Sequence, residues 1–311
     1  MELYASWVPG LPSDRQALGV LRSNPWITGV ESCNVPDESP PLNAAGLRLS
    51  MHNPAFGFRA DLTRRGLAGR IESRKRLLQA IRASDASTVG FHLCHGVLFH
   101  IREVLAGAVP FRNRWADAEE TIVANLVDLE ALINGPLRDK KAILFETNYA
   151  PPVAAIDRLP DPGLRSELCA LVRVSSPAFT AEILARTRKN RRIGFLFDVA
   201  HCLGAAHNLA AKASGRARLM DDFIALSRGR VFLVHLNRPS RVGRDGHNPF
   251  RKGDALSDEV LGYAKAILAA NPVRTLTLEI EGGPSPLAHA RCLARQATLV
   301  AETLRLTKSG Q

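Results

Sequence analysis

Short apolar runs that end in a metal-capable side chain recur along this chain of 311 residues. In the clearest case, the run at 193–197 is followed directly by Asp198 and, three residues later, by His201. A continuous apolar run of this length is typical of a strand that is covered on both faces, as in a parallel sheet wrapped by helices. Five further runs end in the same way, at His52, His92, Glu146, His235 and Glu279.

The fold class follows from the alternation of these runs with helical patterns. Strand-like runs lie at 2–8, 27–32, 47–52, 88–92, 142–146, 193–198, 231–235 and 274–280. Helical spacing or helix start signals lie at 16–22, 62–82, 115–132, 178–188, 257–270 and 286–306. This alternation predicts an α/β protein with one domain over residues 1–311, a (β/α)8 TIM barrel with an elaborated loop and helix insertion around 150–192. The alternative is an open doubly wound sheet, but no glycine-rich phosphate loop follows any of the runs.

Composition narrows the class of protein. Hydrophobic residues make up 46% of the chain and charged residues 23%, the mix of a globular protein with a sizeable core. No apolar run reaches the roughly 20 residues that span a bilayer, and the N-terminus lacks a secretion signal, so we expect a cytoplasmic protein that contacts no membrane. The five cysteines form no CxxC pair, which argues against a disulfide framework or a cysteine zinc site. The net charge of +11 is spread along the chain, so a nucleic-acid partner is an alternative that is not favoured.

In a barrel, the residues that end the strands meet at one mouth, where such folds keep their chemistry. Asp245 and His247 join this set, because alternate side chains of an extended segment point the same way. Nine candidate metal ligands result: His52, His92, Glu146, Asp198, His201, His235, Asp245, His247 and Glu279. Nine ligands exceed what one ion takes, so two or three metals bridged by carboxylates fit better.

Each candidate also has an ordinary structural interpretation. A single histidine at a strand end, such as His52 or His92, is more often a hydrogen-bonded structural residue than a ligand. Glu31, on the second strand, is interpreted only as a carboxylate at the mouth. The structural interpretation is weaker for the other ligands, because carboxylates crowded at one mouth repel one another unless a cation neutralises them.

Several motifs resemble the xylose-isomerase-like superfamily, which includes endonuclease IV, sugar isomerases and epimerases, and multinuclear non-haem iron oxidative enzymes. Similarity to endonuclease IV lies in Asp198-Val-Ala-His201, His235-Leu-Asn237 and Asp245-Gly-His247. All nine positions of the trinuclear zinc set of that family have a matching residue type here. The chain departs from endonuclease IV after His52, where Asn-Pro-Ala replaces Ala-Pro-Tyr, and at Arg238, where that family has Asp.

The iron enzymes are resembled at other positions. The similar segments are His92-Leu-Cys94, Glu146-Thr-Asn148, Leu196-Phe-Asp-Val199 and Asp245-Gly-His-Asn-Pro249. His201 stands where those enzymes usually have Asn. This resemblance implies two or three metal ions, iron favoured and zinc or manganese as alternatives, which use O2 to oxidise a Cys, Asp or Asn side chain of a peptide in natural-product biosynthesis.

The leading hypothesis is therefore an oxidoreductase whose substrate is a peptide, which a partner protein could deliver. The residues expected to act in catalysis are Glu146, Asp198, His201, His235 and Glu279. One alternative is a zinc-dependent phosphodiesterase that acts on DNA, as in endonuclease IV. The other is a sugar isomerase or epimerase with one metal, held by Glu146, Asp198, His235 and Glu279.

Overall fold

The computed structural model describes residues 1–6, 14–32, 46–53, 62–63, 65–93, 117–137, 140–148, 150, 153–210, 212–241 and 246–307. The strands are β1 (Glu2–Ser6), β2 (Ile27–Ser32), β3 (Arg48–His52), β4 (Thr88–His92), β5 (Ala142–Glu146), β6 (Ile193–Asp198), β7 (Val231–Leu236) and β8 (Thr275–Leu278). All pairings are parallel and follow chain order, and β1 pairs with both β2 and β8. The sheet is therefore a closed barrel, and the predicted TIM barrel is confirmed.

Helices follow the strands and cover the outside of the barrel. Those described are α1 (Arg15–Ser23), α2 (Leu67–Glu72), α3 (Lys75–Ala83), α4 (Ala118–Asn134), α5 (Val153–Ile156), α6 (Pro162–Val174), α7 (Pro177–Arg186), α8 (Val199–Leu209), α9 (Ala213–Leu226), α10 (Ala255–Ala270) and α11 (Pro286–Leu304). Their buried apolar faces join the outward side chains of the strands in one large core. Among the described residues, no single helix has the length and apolar composition to cross a membrane, although α6 and α7, bent by 64°, pass that test as a pair.

Capping side chains set where several helices begin. Asp14 accepts hydrogen bonds from the backbone N–H groups of Gln16 and Ala17 at the start of α1, and Asp254 accepts one from Ser257 in α10. These bonds satisfy donors that have no partner within the first turn of a helix. The predicted helix starts at 16 and 257 are therefore close to the observed ones.

Helical spacing over 62–82 predicts one helix, whereas the structure has two. The chain leaves the helical conformation at Arg74 (φ −100°, ψ 71°), and Ser73 Oγ donates to the backbone oxygen of Arg70. Both α2 and α3 bury their apolar residues. Because the same buried pattern continues across the break, periodicity alone does not reveal it.

The interior of the barrel is filled in layers by alternate residues of each strand. Leu144, Leu196 and Leu233, from β5, β6 and β7, form a small apolar cluster that is separate from the main core. Side chains two residues apart on a strand share a face, so Glu146, Asp198 and His235 point to the same side of the sheet as these leucines. We call the three leucines the floor and the polar layer above them the mouth.

Candidate metal centre

The mouth is built from side chains that end the strands β3 to β8. Strand register sets them side by side: His92 is paired with Glu146, and Asp198 with His235. Glu279 directly follows β8, and its backbone N–H donates to Leu236, which fixes it next to β7. The side chains of Glu146, Asp198 and His235 are fully buried.

His201 reaches the mouth in a different way from the strand-end residues. It lies in the first turn of α8, a helix that is absent from the sequence-based prediction, and its backbone N–H donates to Asp198 Oδ1 at 2.7 Å. Asp198 therefore caps the helix with one oxygen, while its other oxygen accepts a hydrogen bond from Asn237 at 3.1 Å.

Ligand-capable atoms of the mouth form four overlapping groups, within each of which the atoms lie within 4.8 Å of one another. The groups are Glu31, His52 and His235; His52, His92 and Glu146; Glu146, Asp198 and His201; and Asp198, His235 and Glu279. Four residues each belong to two groups, so the groups form one continuous cluster. It brings together seven of the nine predicted ligands and adds Glu31.

Glu146 lies at the centre of this cluster. Its Oε2 lies 2.7 Å from His52 Nε2 and 3.4 Å from His92 Nδ1. Its Oε1 lies 2.8 Å from His201 Nδ1 and 4.0 Å from His235 Nδ1. The two oxygens of one carboxylate thus face different histidines, so Glu146 could contribute an oxygen to each of two metal-capable groups.

A second concentration of carboxylates surrounds His235. Its Nδ1 lies 3.1 Å from Glu279 Oε2 and 3.9 Å from Asp198 Oδ2. On the other side of the ring, Nε2 lies 2.6 Å from Glu31 Oε1. Both ring nitrogens of this buried histidine therefore have carboxylate neighbours.

The predicted pair Asp245 and His247 is only partly described. Asp245 lies outside the described residues. His247 Nδ1 is 3.0 Å from the backbone oxygen of Glu279 and 3.8 Å from its Oε2, so this ring lies beside the cluster without entering any of the four groups. A bond from Nδ1–H to a backbone carbonyl leaves Nε2 as the metal-capable nitrogen.

At the mouth, neighbouring histidines and carboxylates favour the charged forms of Glu146 and His235. Burial alone would raise the pKa of Glu146. The neighbouring His92 and His52 lower this pKa by more than burial raises it, so the net pKa is well below its usual value. Burial lowers the pKa of His235, and Glu31 and Glu279 more than reverse this, so the net pKa is well above the usual value. For Asp198, burial raises the pKa to about 6, against the opposing effect of His201.

Several buried atoms of the mouth are close to one another without being aligned for hydrogen bonds. In the described part of the chain, both oxygens of Glu146, His235 Nδ1 and Glu279 Oε2 make no hydrogen bond. Unpaired buried polar atoms are costly, whereas lone pairs that converge on a cation are satisfied. The donor set of imidazole and carboxylate suits zinc, iron and manganese alike, so the residues fit a metal centre.

Sequence reasoning did not assign every residue that the mouth uses. The sequence predicts Glu31 only as a mouth carboxylate, yet its Oε1 lies 2.6 Å from His235 Nε2. Asn148 is part of the Glu146-Thr-Asn148 motif without a predicted role, and its Nδ2 lies 3.1 Å from His92 Nδ1. At Arg238, a departure from endonuclease IV, the guanidinium forms two bonds of 2.8 and 3.3 Å with Asp254, so this side chain braces the start of α10.

Comparisons with known proteins support the fold. No family model and no curated protein matches the chain. A xylose isomerase domain protein from Alicyclobacillus acidocaldarius has a TM-score of 0.57 at 12% identity, over 97% of this chain and 99% of that one. A xylose isomerase-like TIM-barrel protein from Mycobacterium smegmatis, in complex with magnesium, has a TM-score of 0.54 at 10% identity over 97% of both chains.

A third crystal structure, described as AsfvAP:AG, has a TM-score of 0.54 at 13% identity, over 97% of this chain and 99% of that one. Identities this low show the fold alone. The protein is thus a TIM barrel similar to xylose isomerase-like proteins, with buried His, Glu and Asp groups that could hold metal ions.

Proposed function

We propose that this protein is a metal-dependent enzyme whose mouth holds two or three ions. The observation that carries the proposal is the position of Glu146, whose two oxygens face His52 and His92 on one side and His201 on the other. A carboxylate with histidines at both oxygens is suited to two cations rather than one. The buried, unaligned donors around it support the same conclusion.

The chain's own residues divide the work of holding these ions. His52 and His92 would hold one ion with Glu146 Oε2, and Asp198 and His201 would hold another with Glu146 Oε1. His235 and Glu279, together with Asp198, offer the third set of donors. Below them the floor leucines fill the barrel, so substrate approaches from the mouth, where the loops after the strands lie.

Within this class, we favour an iron enzyme that oxidises a Cys, Asp or Asn side chain of a peptide. Iron supplies the activation of O2 that such an oxidation requires. Support comes from the motifs around His92, Glu146 and Asp245, which resemble multinuclear iron enzymes. Further support comes from Arg238. Endonuclease IV has an acidic residue at this position, whereas here the side chain is basic and pairs with Asp254.

Metal content tests the class. Protein purified without added metal and without oxygen should contain two or more irons per chain, and Glu146→Ala and His201→Ala should each lower that number. His207→Ala is the matched control, because His207 lies on the same helix as His201 but is exposed. No bound metal in folded wild-type protein would refute the proposal.

The reaction needs a separate test. Co-expression with short Cys-rich or Asp-rich peptides encoded beside the gene, followed by intact mass measurement, should reveal an oxidised peptide only when O2 and Glu146 are present. Two or three zincs per chain together with cleavage of abasic DNA would instead identify a phosphodiesterase.

A second candidate, a sugar isomerase or epimerase with one metal, is favoured by a specific observation. Glu279, Asp198 and Glu146 surround His235 Nδ1 at 3.1, 3.9 and 4.0 Å, which is enough to hold one ion. The similar protein from M. smegmatis was solved with magnesium. This candidate predicts one ion per chain, and it predicts that His52→Ala and His92→Ala retain that ion.

A further inference from the structure

We propose that Glu31 is a positioning residue, which orients His235 toward the metal through a hydrogen bond to the nitrogen that does not bind metal. This inference rests on the proposed function, because it assumes an ion at the mouth. Glu31 lies near the end of β2, and its Oε1 is 2.6 Å from His235 Nε2. Both side chains are almost completely buried.

A neutral imidazole has one nitrogen that carries a proton and one that can bind a metal. On the Nδ1 side of His235 lie the carboxylates of Glu279 and Asp198, with Glu146 slightly further away. On the Nε2 side lies Glu31. More donors and more negative charge are present around Nδ1, so Nδ1 faces the ion and Nε2 carries the proton.

The short contact to Glu31 fits a hydrogen bond better than shared coordination. The 2.6 Å between Glu31 Oε1 and His235 Nε2 lies within the range of a charge-assisted hydrogen bond. The contacts of Glu146 with His52 and His201 are similar in length, at 2.7 and 2.8 Å. Glu31 differs from Glu146 because its other oxygen is already bonded to Ser50. Neither atom makes an aligned hydrogen bond in the described part of the chain, so each is available to the other.

Glu31 is itself held in place from the other side. Ser50 Oγ donates to Glu31 Oε2 at 2.6 Å, and strand register places Ser50 directly beside Glu31 on β3. Ser50, Glu31 and His235 therefore form a relay of buried polar contacts across β3, β2 and β7. A carboxylate that accepts the second N–H of a ligating histidine fixes the ring and its tautomer, and its loss typically weakens metal binding about 10- to 100-fold.

Metal binding by variants of Glu31 tests this role without an activity assay. The protein is stripped of metal and titrated with Co2+ against a competing chelator, while the visible absorption of the bound ion is recorded. Glu31→Ala should bind the same number of ions as wild type, one of them about 10- to 100-fold more weakly and with a shifted spectrum. Glu31→Gln should stay close to wild type, because its amide oxygen still accepts the N–H of His235.

His235→Ala is the reference for loss of a ligand, and Ser50→Ala should weaken the same ion more modestly than Glu31→Ala. If Glu31→Ala does not fold, weaker binding in Ser50→Ala with retention in Glu31→Gln supports the role, and unchanged binding in Ser50→Ala refutes it. Wild-type affinity in a folded Glu31→Ala variant would also refute it. Loss of an ion in Glu31→Gln, as in His235→Ala, would identify Glu31 as a ligand instead.

Failure of the proposed function gives a different result. If wild-type protein takes up no Co2+, the metal centre itself is refuted and the role of Glu31 falls with it. If wild-type protein binds Co2+ and only the variants behave otherwise than expected, the metal centre stands and the role of Glu31 alone is refuted.

Discussion

The floor and the mouth of the barrel come from the same strands, two residues apart, and yet they place opposite demands on the fold. Leu144, Leu196 and Leu233 pack against one another and need no partner outside the chain. The next inward side chains on β5 and β6 are Glu146 and Asp198, which are equally buried but carry charge. Two residues along the strand thus separate a layer that stabilises the barrel from a layer whose buried charges need oppositely charged partners.

This difference between the two layers indicates which of them a bound metal ion would stabilise. Burial of a leucine side chain contributes roughly 1.5–3 kcal/mol, and it does so in the isolated chain. Burial of several carboxylates costs free energy unless each is paired. At the mouth the histidines offset part of this cost, and a bound cation would offset more. The floor should therefore control folding, and the mouth should control metal binding.

Substitution of Glu146, the central carboxylate of the mouth, should give the largest effect of the variants described below. Glu146→Gln keeps the shape of the side chain but removes the charge that faces His52, His92 and His201. We expect metal content to fall to at most one ion per chain and activity to be lost, while the barrel still folds. Elemental analysis and circular dichroism measure the two outcomes. Full metal content in Glu146→Gln would show that Glu146 does not bridge two ions.

A change in the floor should give the reverse result. Leu196→Ala removes a fully buried side chain from the apolar cluster and should lower the free energy of unfolding by about 2–5 kcal/mol. The number of bound ions should stay that of wild type. Urea denaturation of the metal-free protein measures the first quantity and elemental analysis the second. Loss of metal at constant stability would contradict the proposed division.

Gly90, on β4, lies next to a side chain from each of the two layers. A Cβ at this position would lie 2.9 Å from Leu196 Cδ1 in the floor and 3.3 Å from His52 Cδ2 in the mouth. Gly90→Ala should therefore lower the free energy of unfolding by about 1–3 kcal/mol through overpacking. In the Leu196→Ala background the added methyl group has space, so the same substitution should cost clearly less. Equal costs in both backgrounds would show that Leu196 is not the obstacle.

Much of this architecture could be predicted from the sequence, because a strand buried on both faces is recorded locally as an apolar run. The runs before Glu146, Asp198 and His235 are of this kind, and they place the polar layer at the carboxyl end of the barrel. Capping residues such as Asp14 and Asp254 are equally local signals. Fold class and the main candidate ligands depend on these signals alone.

Three features of the structure could not be predicted from the sequence, and the first of them depends on closure of the barrel. The role of Glu31 requires that β2 and β7 face each other across the interior, and no spacing within the chain expresses that contact. The break at Arg74 is hidden because both flanking helices continue the same apolar pattern. His201 was expected at a strand end, yet Asp198 starts a helix there, since a strand-terminal carboxylate can equally be a cap.

The smallest effect expected is a dependence of stability on pH that belongs to the mouth alone. Glu31 and Glu279 raise the pKa of His235 well above 6.5, so its proton stabilises the folded state below that pH and the stabilisation is lost as the pH rises above it. Linkage limits the loss to about 1.4 kcal/mol per pH unit for one proton. His289 does not interfere, because burial lowers its pKa and its contribution changes only below 6.5.

Urea denaturation of metal-free protein between pH 6.5 and 7.5 should therefore show stability falling with pH, and His235→Asn should remove this component. Loading with metal should also remove it, because a ligating imidazole has already lost that proton. Leu233→Ala, a floor variant on the same strand, should retain the wild-type slope at lower overall stability. An unchanged slope in His235→Asn would mean that the mouth does not hold this proton.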